Sequence, residues 1–337
     1  KKGAQHSRDE LEAAAEILQD VGAFREAAIC LHELSVTMNR LDEHGLAVAT
    51  AKRSVALSRE IGDRQQEATG LRRLAGTYMS RNQSAEALPL ALRALALHRE
   101  VGDRSAEYSA LNVLGIIQAH LGAHEEAETS LRQSLHIAES TGSSEGTNHA
   151  AFNLVHFCYE HRGDFEGCLL FLDTRLEKAK AEGDDYLVAL LRRLEGRVLT
   201  QLGQYDRAYR SLAAASENLE ALGFLSSELE CRAYSGLVKA FLGDLEGSAA
   251  TLQAAAEKAR EARLHRVLAW ALWLRGFVDR LAGGAERLRA GLDRVQEGLA
   301  LIPDGFAGYS WFGNACEIAA ALHLALGETD KALARSK

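Results

Sequence analysis

Proline is nearly missing from this sequence, with only Pro89 and Pro303 among 337 residues, so almost nothing interrupts a helix along its length. Long apolar runs are missing too. Charge breaks stretches such as Val267 to Leu274 well short of the roughly 18 residues that a membrane span needs, and no signal-peptide pattern opens the chain. Five cysteines, Cys30, Cys158, Cys168, Cys231 and Cys316, are scattered with no Cys-x-x-Cys pair. That excludes a disulfide framework and a zinc ribbon, and it predicts a cytoplasmic protein. A net charge of −8 excludes a broad nucleic-acid-binding face. The sequence begins at Lys1 instead of Met and stops at Lys337 inside an expected helix, so we expect a piece excised from a larger protein.

Apolar residues make up 47% of the chain, and Ala, Leu, Glu and Arg dominate throughout, a composition that favours helix from end to end. Glycine sets a register. One series stands at Gly22, Gly62, Gly102, Gly142, Gly183, Gly223 and Gly305, with one member missing near Arg263; a second stands at Gly122, Gly163, Gly203, Gly243, Gly283 and Gly327. Glycine is favoured just past a helix end because it enters the left-handed conformation without steric cost. Each series therefore marks where one set of helices stops, and the two together predict helical hairpins of about 40 residues. Between the glycines, apolar residues recur with helical period, as in Leu71, Leu74, Ala75 and Tyr78.

Size repeats as well. Ser35, Ala75, Gly115, Val155, Gly196, Gly236, Gly276 and Ala320 occupy one position of the repeat, and Ala47, Ala87, Ala127, Gly167, Ala208, Ser248, Leu288 and Ala332 stand 12 residues later. Nearly all are small, which lets the two helices of a hairpin approach closely. Pro89 lies about five residues into its helix after the expected N-cap Ser84, and a slight kink is predicted there.

Chemistry is sparse. The glycines fall singly at helix ends and never cluster as phosphate-cradling loops require, which argues against a nucleotide. His120 with His124, and Cys158 with His161, are the closest potential ligand pairs, but neither has a third member nearby, so no metal and no other cofactor is expected. A solenoid also lacks the closed, dry pocket that catalysis favours, and no enzyme is expected.

The run Leu74-Ala75-x-x-Tyr78 with Ala87 and Ala94, and Leu114-Gly115 with Ala127, resembles the tetratricopeptide repeat family. The unit near 40 residues, with Gly-Asp turns at Gly62-Asp63 and Gly102-Asp103, is similar to the longer variant of kinesin light chains, Pins-type adaptors and the C-terminal arrays of MalT-like bacterial regulators. The resemblance implies an all-α, right-handed superhelical solenoid of about eight hairpins. It places a leading B helix at 5–21 and repeats at 24–62, 64–102, 104–142, 144–183, 184–223, 224–263, 264–305 and, incomplete, 306–337.

In that family, the positions matching Trp270, Trp273 and Phe277 line the concave groove. Two readings stay open for them: an apolar patch for a partner helix or ligand, or packing between neighbouring A helices. The third tryptophan, Trp311, stands in the same quarter of the chain. Farther back, the groove positions carry Arg72, Arg73, Asn112, Asn153, His156, Tyr159, Arg193 and Arg197. Asn amides suit a peptide backbone and arginines suit carboxylates, although an ordinary solvated helix face reads the same way. The expected function is capture of a protein or peptide partner, acidic or helical, in a bacterial regulatory or signalling protein. The alternative is a sensor segment that binds a small effector and controls a fused ATPase, DNA-binding or protease domain.

Overall fold

The computed structural model describes residues 2–40, 44–80, 83–160, 162–301 and 310–335. Every regular element among them is helical. They fall into two compact units, Lys1–Arg162 and Gly163–Lys337. Unit 1 holds α1 (Lys2–Asp20), α2 (Phe24–Arg40), α3 (His44–Glu60), α4 (Arg64–Ser80), α5 (Ser84–Val101), α6 (Arg104–His120), α7 (His124–Ser140) and α8 (Ser144–Leu154), and α8 runs on as a π-helical segment, Val155–Glu160. Unit 2 holds α9 (Phe165–Glu182), α10 (Asp185–Gln201), α11 (Tyr205–Ala221), α12 (Leu225–Phe241), α13 (Leu245–Glu261), α14 (His265–Ala282), α15 (Ala285–Ala300), α16 (Ser310–Ala325) and α17 (Thr329–Arg335). Within each unit, successive helices pack as antiparallel neighbours, and A helices also touch the next A helix, as α4 does α6 and α12 does α14.

The turns follow from two residues. At Gly102, φ is 75°; its N–H donates to the Arg99 carbonyl, and the Asp103 N–H donates to that of His98, which closes α5. Asp103 then opens α6, its side chain accepting from the Ala106 N–H at 2.9 Å. The same cap forms at Asp63, Asp164, Asp184 and Asp244. A helix of 17 residues with a three-residue turn, taken twice, gives the 40-residue step. The missing glycine is Arg263, which holds φ at 56° while its turn makes the same hydrogen bonds, Arg263 N–H to the Arg260 carbonyl and Leu264 N–H to that of Ala259. Gly305 lies outside the described residues.

One repeat is a residue longer. Both glycine series step by 41 across it, from Gly122 to Gly163 and from Gly142 to Gly183. The structure accommodates the extra residue as the π-helical segment Val155–Glu160, the usual way a helix takes up a single insertion. At the other irregular point, Ser84 is not the N-cap of α5. Gln83 occupies that position without a side-chain hydrogen bond, and Ser84 is the first helical residue, buried at 6% exposure. The helix then runs through Pro89 to Val101.

The small positions set the packing within each hairpin. A methyl group added to Gly115 would stand 2.6 Å from the Leu131 Cγ and 3.2 Å from the Ala127 carbonyl oxygen. Gly196 is closed in the same way by Leu212 at 2.5 Å, and Gly236 by Leu252 at 2.7 Å. The partner of each glycine is the leucine 16 residues on. Where the first position is Ala75, the corresponding residue is Ala91, and both are buried. Volume is thus conserved across the pair. Leu288, the large exception in the second series, packs instead with Ala269, Trp273, Ala315 and Ala319.

Two outcomes follow. Gly115→Ala is expected to destabilise unit 1 by about 1–3 kcal/mol, and adding Leu131→Ala to it should cost less than the two separate losses predict, which urea unfolding of the four proteins measures; strict additivity would mean that the two residues do not share the contact. Arg263→Gly is expected to stabilise the chain by about 0.5–1 kcal/mol, since glycine removes the left-handed strain but adds unfolded-state freedom. An unchanged melting temperature would contradict this account of the turn.

Candidate functional site

His32, Arg72 and Asn112 hold one position of the repeat on α2, α4 and α6, each 40 residues from the next. They and their neighbours form a polar lane on the A helices of unit 1. Arg73 is exposed and leans back on α2, with its guanidinium against His32 and 3.5 Å from Glu33. His32 is 7% exposed, and burial followed by the Arg73 charge pushes its pKa down to about 4. Arg72 is different. It is half-buried, and its Nε has no hydrogen-bond partner among the described residues. Burial and the adjacent Arg73 charge lower its pKa.

One repeat along, the Asn153 Nδ2 donates to the Asn112 Oδ1 at 2.9 Å. Two amides joined in this way leave an NH2 group on one and a carbonyl oxygen on the other. That is the complement of a peptide group, which offers one acceptor and one donor. Asn112 is half-buried and Asn153 is 8% exposed, so the pair lies on the floor of the lane.

The π-helical segment follows directly. It sets the His156 ring between Phe152, 6.2 Å away, and Phe157, 4.7 Å away and edge-on. The far edge of Phe157 is met by His120 at 5.5 Å, whose pKa is lowered by burial and by His156. Tyr159 turns the other way. At 7% exposure its hydroxyl accepts from Arg132 on α7 at 3.2 Å, and the Arg132 and Arg162 guanidinium groups lie 6.0 and 5.7 Å from its ring centroid. Tyr159 therefore belongs to the packing behind the lane and does not line it.

In unit 2 the expected site residues separate. Arg193 on α10 is paired with Glu230 on α12, which also holds Arg266 of α14 at 2.5 Å. Its charge is already compensated, contrary to its expected role as an open cation. Arg197 is half-buried. Trp273 is a core residue at 1% exposure, packed with Leu288, Leu292, Val295, Ala319 and Leu322. Its indole rests on the backbone of Gly298, where an added methyl would come within 2.4 Å of Nε1. The groove reading is thus corrected for Trp273, because a side chain enclosed on every side offers no face to a partner.

Trp270 and Phe277 are half-buried and belong to ring contacts that the sequence did not suggest. Trp270 lies 5.5 Å from Tyr234, while Phe277 meets Phe241 at 6.1 Å, which in turn stacks on Tyr205 at 5.1 Å. Glu230, Tyr234, Phe241 and Tyr205 escaped the sequence reading because it compared positions 40 residues apart. Neighbouring A helices touch at steps of 36 or 37, as in Tyr234 with Trp270 and Arg193 with Glu230, or at 41, as in Asn112 with Asn153. Helical periodicity applied around the 40-residue step would have found them.

Two open clefts lie away from the lane. One, of about 700 Å³, is bounded by Arg289, Asp293, His323 and Glu328 on α15 to α17; the other, of about 550 Å³, by Asp173, Leu176, Arg192 and Glu195 on α9 and α10, with Arg210 and Ser211 of α11. Asp173 in one corresponds to Asp293 in the other, three repeats on, so both are the same recess between successive B helices. No group of three potential metal ligands occurs among the described residues. Cys158 is buried with its thiol pushed up to about 11 by burial, while His161 and the Trp311 side chain lie outside the described residues. No described helix is long and apolar enough to cross a membrane.

Comparison with known proteins agrees with this architecture. Residues 66–140 match the tetratricopeptide repeat family. The apo quorum sensor NprR from B. thuringiensis superposes with a TM-score of 0.58 at 15% identity over 99% of this chain and 97% of its own. NprR in complex with its cognate peptide NprX gives 0.54 at 14% identity over 99% and 96%. A signal transduction ATPase with a tetratricopeptide repeat sensor, PH0952 from Pyrococcus horikoshii, gives 0.56 at 15% identity; it is matched by 95% of this chain, which spans 50% of that protein. No curated protein gives a significant sequence match. Residues 66–140 thus match the tetratricopeptide repeat family, and the A helices from α2 to α14 follow one another at the same step of 40 or 41 residues.

Proposed function

We propose that the chain is a partner-binding repeat segment of a cytoplasmic regulatory protein, and that the A-helix lane of unit 1 holds an extended peptide with an acidic group. The Asn112–Asn153 amide pair carries this reading. It presents a donor and an acceptor side by side, which suits a peptide backbone of any sequence, while Arg72 one repeat earlier has an unsatisfied buried Nε suited to a carboxylate. His156 and its flanking rings extend the lane beyond the amides. The peptide held by NprR supports the same reading by structural likeness. In unit 2, Arg197, Trp270 and Phe277 form a separate and more apolar surface for a partner side chain or helix.

A second reading concerns what binding does. PH0952 joins a tetratricopeptide repeat sensor to an ATPase, and in this reading the present chain reports a bound ligand to a domain attached to it.

Hexaglutamate is a suitable extended acidic probe, followed by fluorescence polarisation. Arg72→Gln and Asn112→Ala are each expected to weaken binding about tenfold, the loss of one buried hydrogen-bonding group, or about 1.4 kcal/mol. Arg72→Gln should keep the parent melting temperature, while Asn112→Ala, which leaves the buried Asn153 Nδ2 without its acceptor, should lower it slightly. Trp273→Ala should instead lower stability by about 3–5 kcal/mol, as for other buried aromatics. Unaltered hexaglutamate binding by both lane variants would place the peptide elsewhere.

A further inference from the structure

His98 is the one ionisable residue at a position of the repeat that is otherwise closed to charge. Its counterparts are Ser58, Ala138, Ala179, Leu219 and Ala259, all buried. The imidazole is itself 0% exposed, and neither ring nitrogen has a hydrogen-bond partner among the described residues. A polar ring buried without partners costs free energy that alanine at the same place avoids, so packing alone does not account for it.

The charges acting on the ring come from three directions. The charge of Arg72, on α4, opposes protonation, while those of Asp103 in the turn and Glu107 on α6 favour it more weakly. Both carboxylates are otherwise engaged. Asp103 caps α6 through the Ala106 N–H and accepts from Gln65 at 3.3 Å, and Glu107 is held by Arg99 and Arg104 at 2.9 and 2.8 Å. Arg72 is the cation with a buried nitrogen left unsatisfied. Leu71 and Leu97, the chain neighbours of Arg72 and His98, share one core cluster, which brings the two residues to the same stretch of the contact between α4 and α5.

We infer that His98 is a proton-linked control on the lane, so that protonation of His98 and occupation of Arg72 by an anion favour each other. A carboxylate on Arg72 cancels the like charge that keeps the ring neutral, and reciprocally a protonated ring adds positive potential behind the bound carboxylate. Linkage requires the two effects to be equal. The inference rests on the lane reading above and adds its regulation, with an acidic ligand held more tightly as pH falls.

The sign is fixed by His98 itself. Burial, then the Arg72 charge, lowers its pKa in the folded chain below the ordinary value of about 6.5. The neutral ring thus favours the folded state above that value, and this contribution is lost as pH falls below it. His32 acts in the same direction, with its pKa near 4, so the site-specific signal of His98 is the measurement required.

The test is an NMR titration of the His98 ring in the whole chain, in the parent and in Arg72→Gln. The midpoint is expected below 6.5 in the parent and to rise by at least half a pH unit when the Arg72 charge is removed; equal midpoints overturn the inference. Hexaglutamate affinity is then compared at pH 7.5 and 5.5. The parent is expected to bind at least threefold more tightly at pH 5.5, and His98→Ala, which installs the residue found at positions 138, 179 and 259, to bind with a clearly smaller ratio. An undiminished ratio in a folded His98→Ala protein also overturns it. Should hexaglutamate fail to bind at either pH, the lane reading fails by itself, and the midpoint comparison still decides whether Arg72 controls His98.

Discussion

The close approach of two helix backbones within each hairpin is the constraint on which the rest depends. Gly115 against Leu131, Gly196 against Leu212 and Gly236 against Leu252 each leave no room for one further methyl group. Contact at that distance fixes how the A helix lies on its partner and so which of its residues remain for the next repeat or for solvent. The lane runs beside these contacts on the same A helices. Asn112 sits one turn from Gly115 on α6, on the neighbouring part of the helix surface.

Most of the fold was legible in the sequence because the signals were periodic and local. Glycine marks the ends of helices through backbone sterics alone, and aspartate marks the beginnings through its hydrogen bond to the third residue on, as at Asp103. The gap near Arg263 was visible, and the structure shows the turn keeping its geometry with a residue that does not favour it. The 41-residue steps were visible too, but their meaning was not, since an extra residue fits equally well in a turn. Its place inside a helix, as the π-helical segment that carries His156, depends on packing on both sides.

The candidate site was legible only in part. Arg72, Asn112 and His156 were proposed from the positions that line the groove in the resembling family, and the structure places them together on the A helices of unit 1. Tyr159 was misplaced, and Trp273 was left between groove and core, for a common reason, that equivalence in a repeat does not fix exposure. Trp273 occupies the repeat position of Arg72, Asn112 and Arg193, yet beside it Gly298 and the α16 residues Ala315 and Ala319 make room for an indole. Arg193 was misread differently, since its partner Glu230 stands 37 residues away and falls outside a comparison made at steps of 40. His98 was not singled out, because burial and the absence of a partner leave no mark on sequence.

These contacts give unit 1 a lane whose floor holds the Asn112–Asn153 amide pair, with Arg72 and its unsatisfied Nε one repeat earlier. In the proposed reading such preorganisation lowers the ordering cost of binding, and the amide pair would give affinity without strong side-chain preference. The most direct measurement is a 15N NMR spectrum of the side-chain amides during addition of hexaglutamate. The account predicts that the Asn112 and Asn153 NH2 resonances shift together and saturate with the polarisation signal; shifts confined to the recess between α9 and α11, with both asparagine amides unmoved, would contradict it.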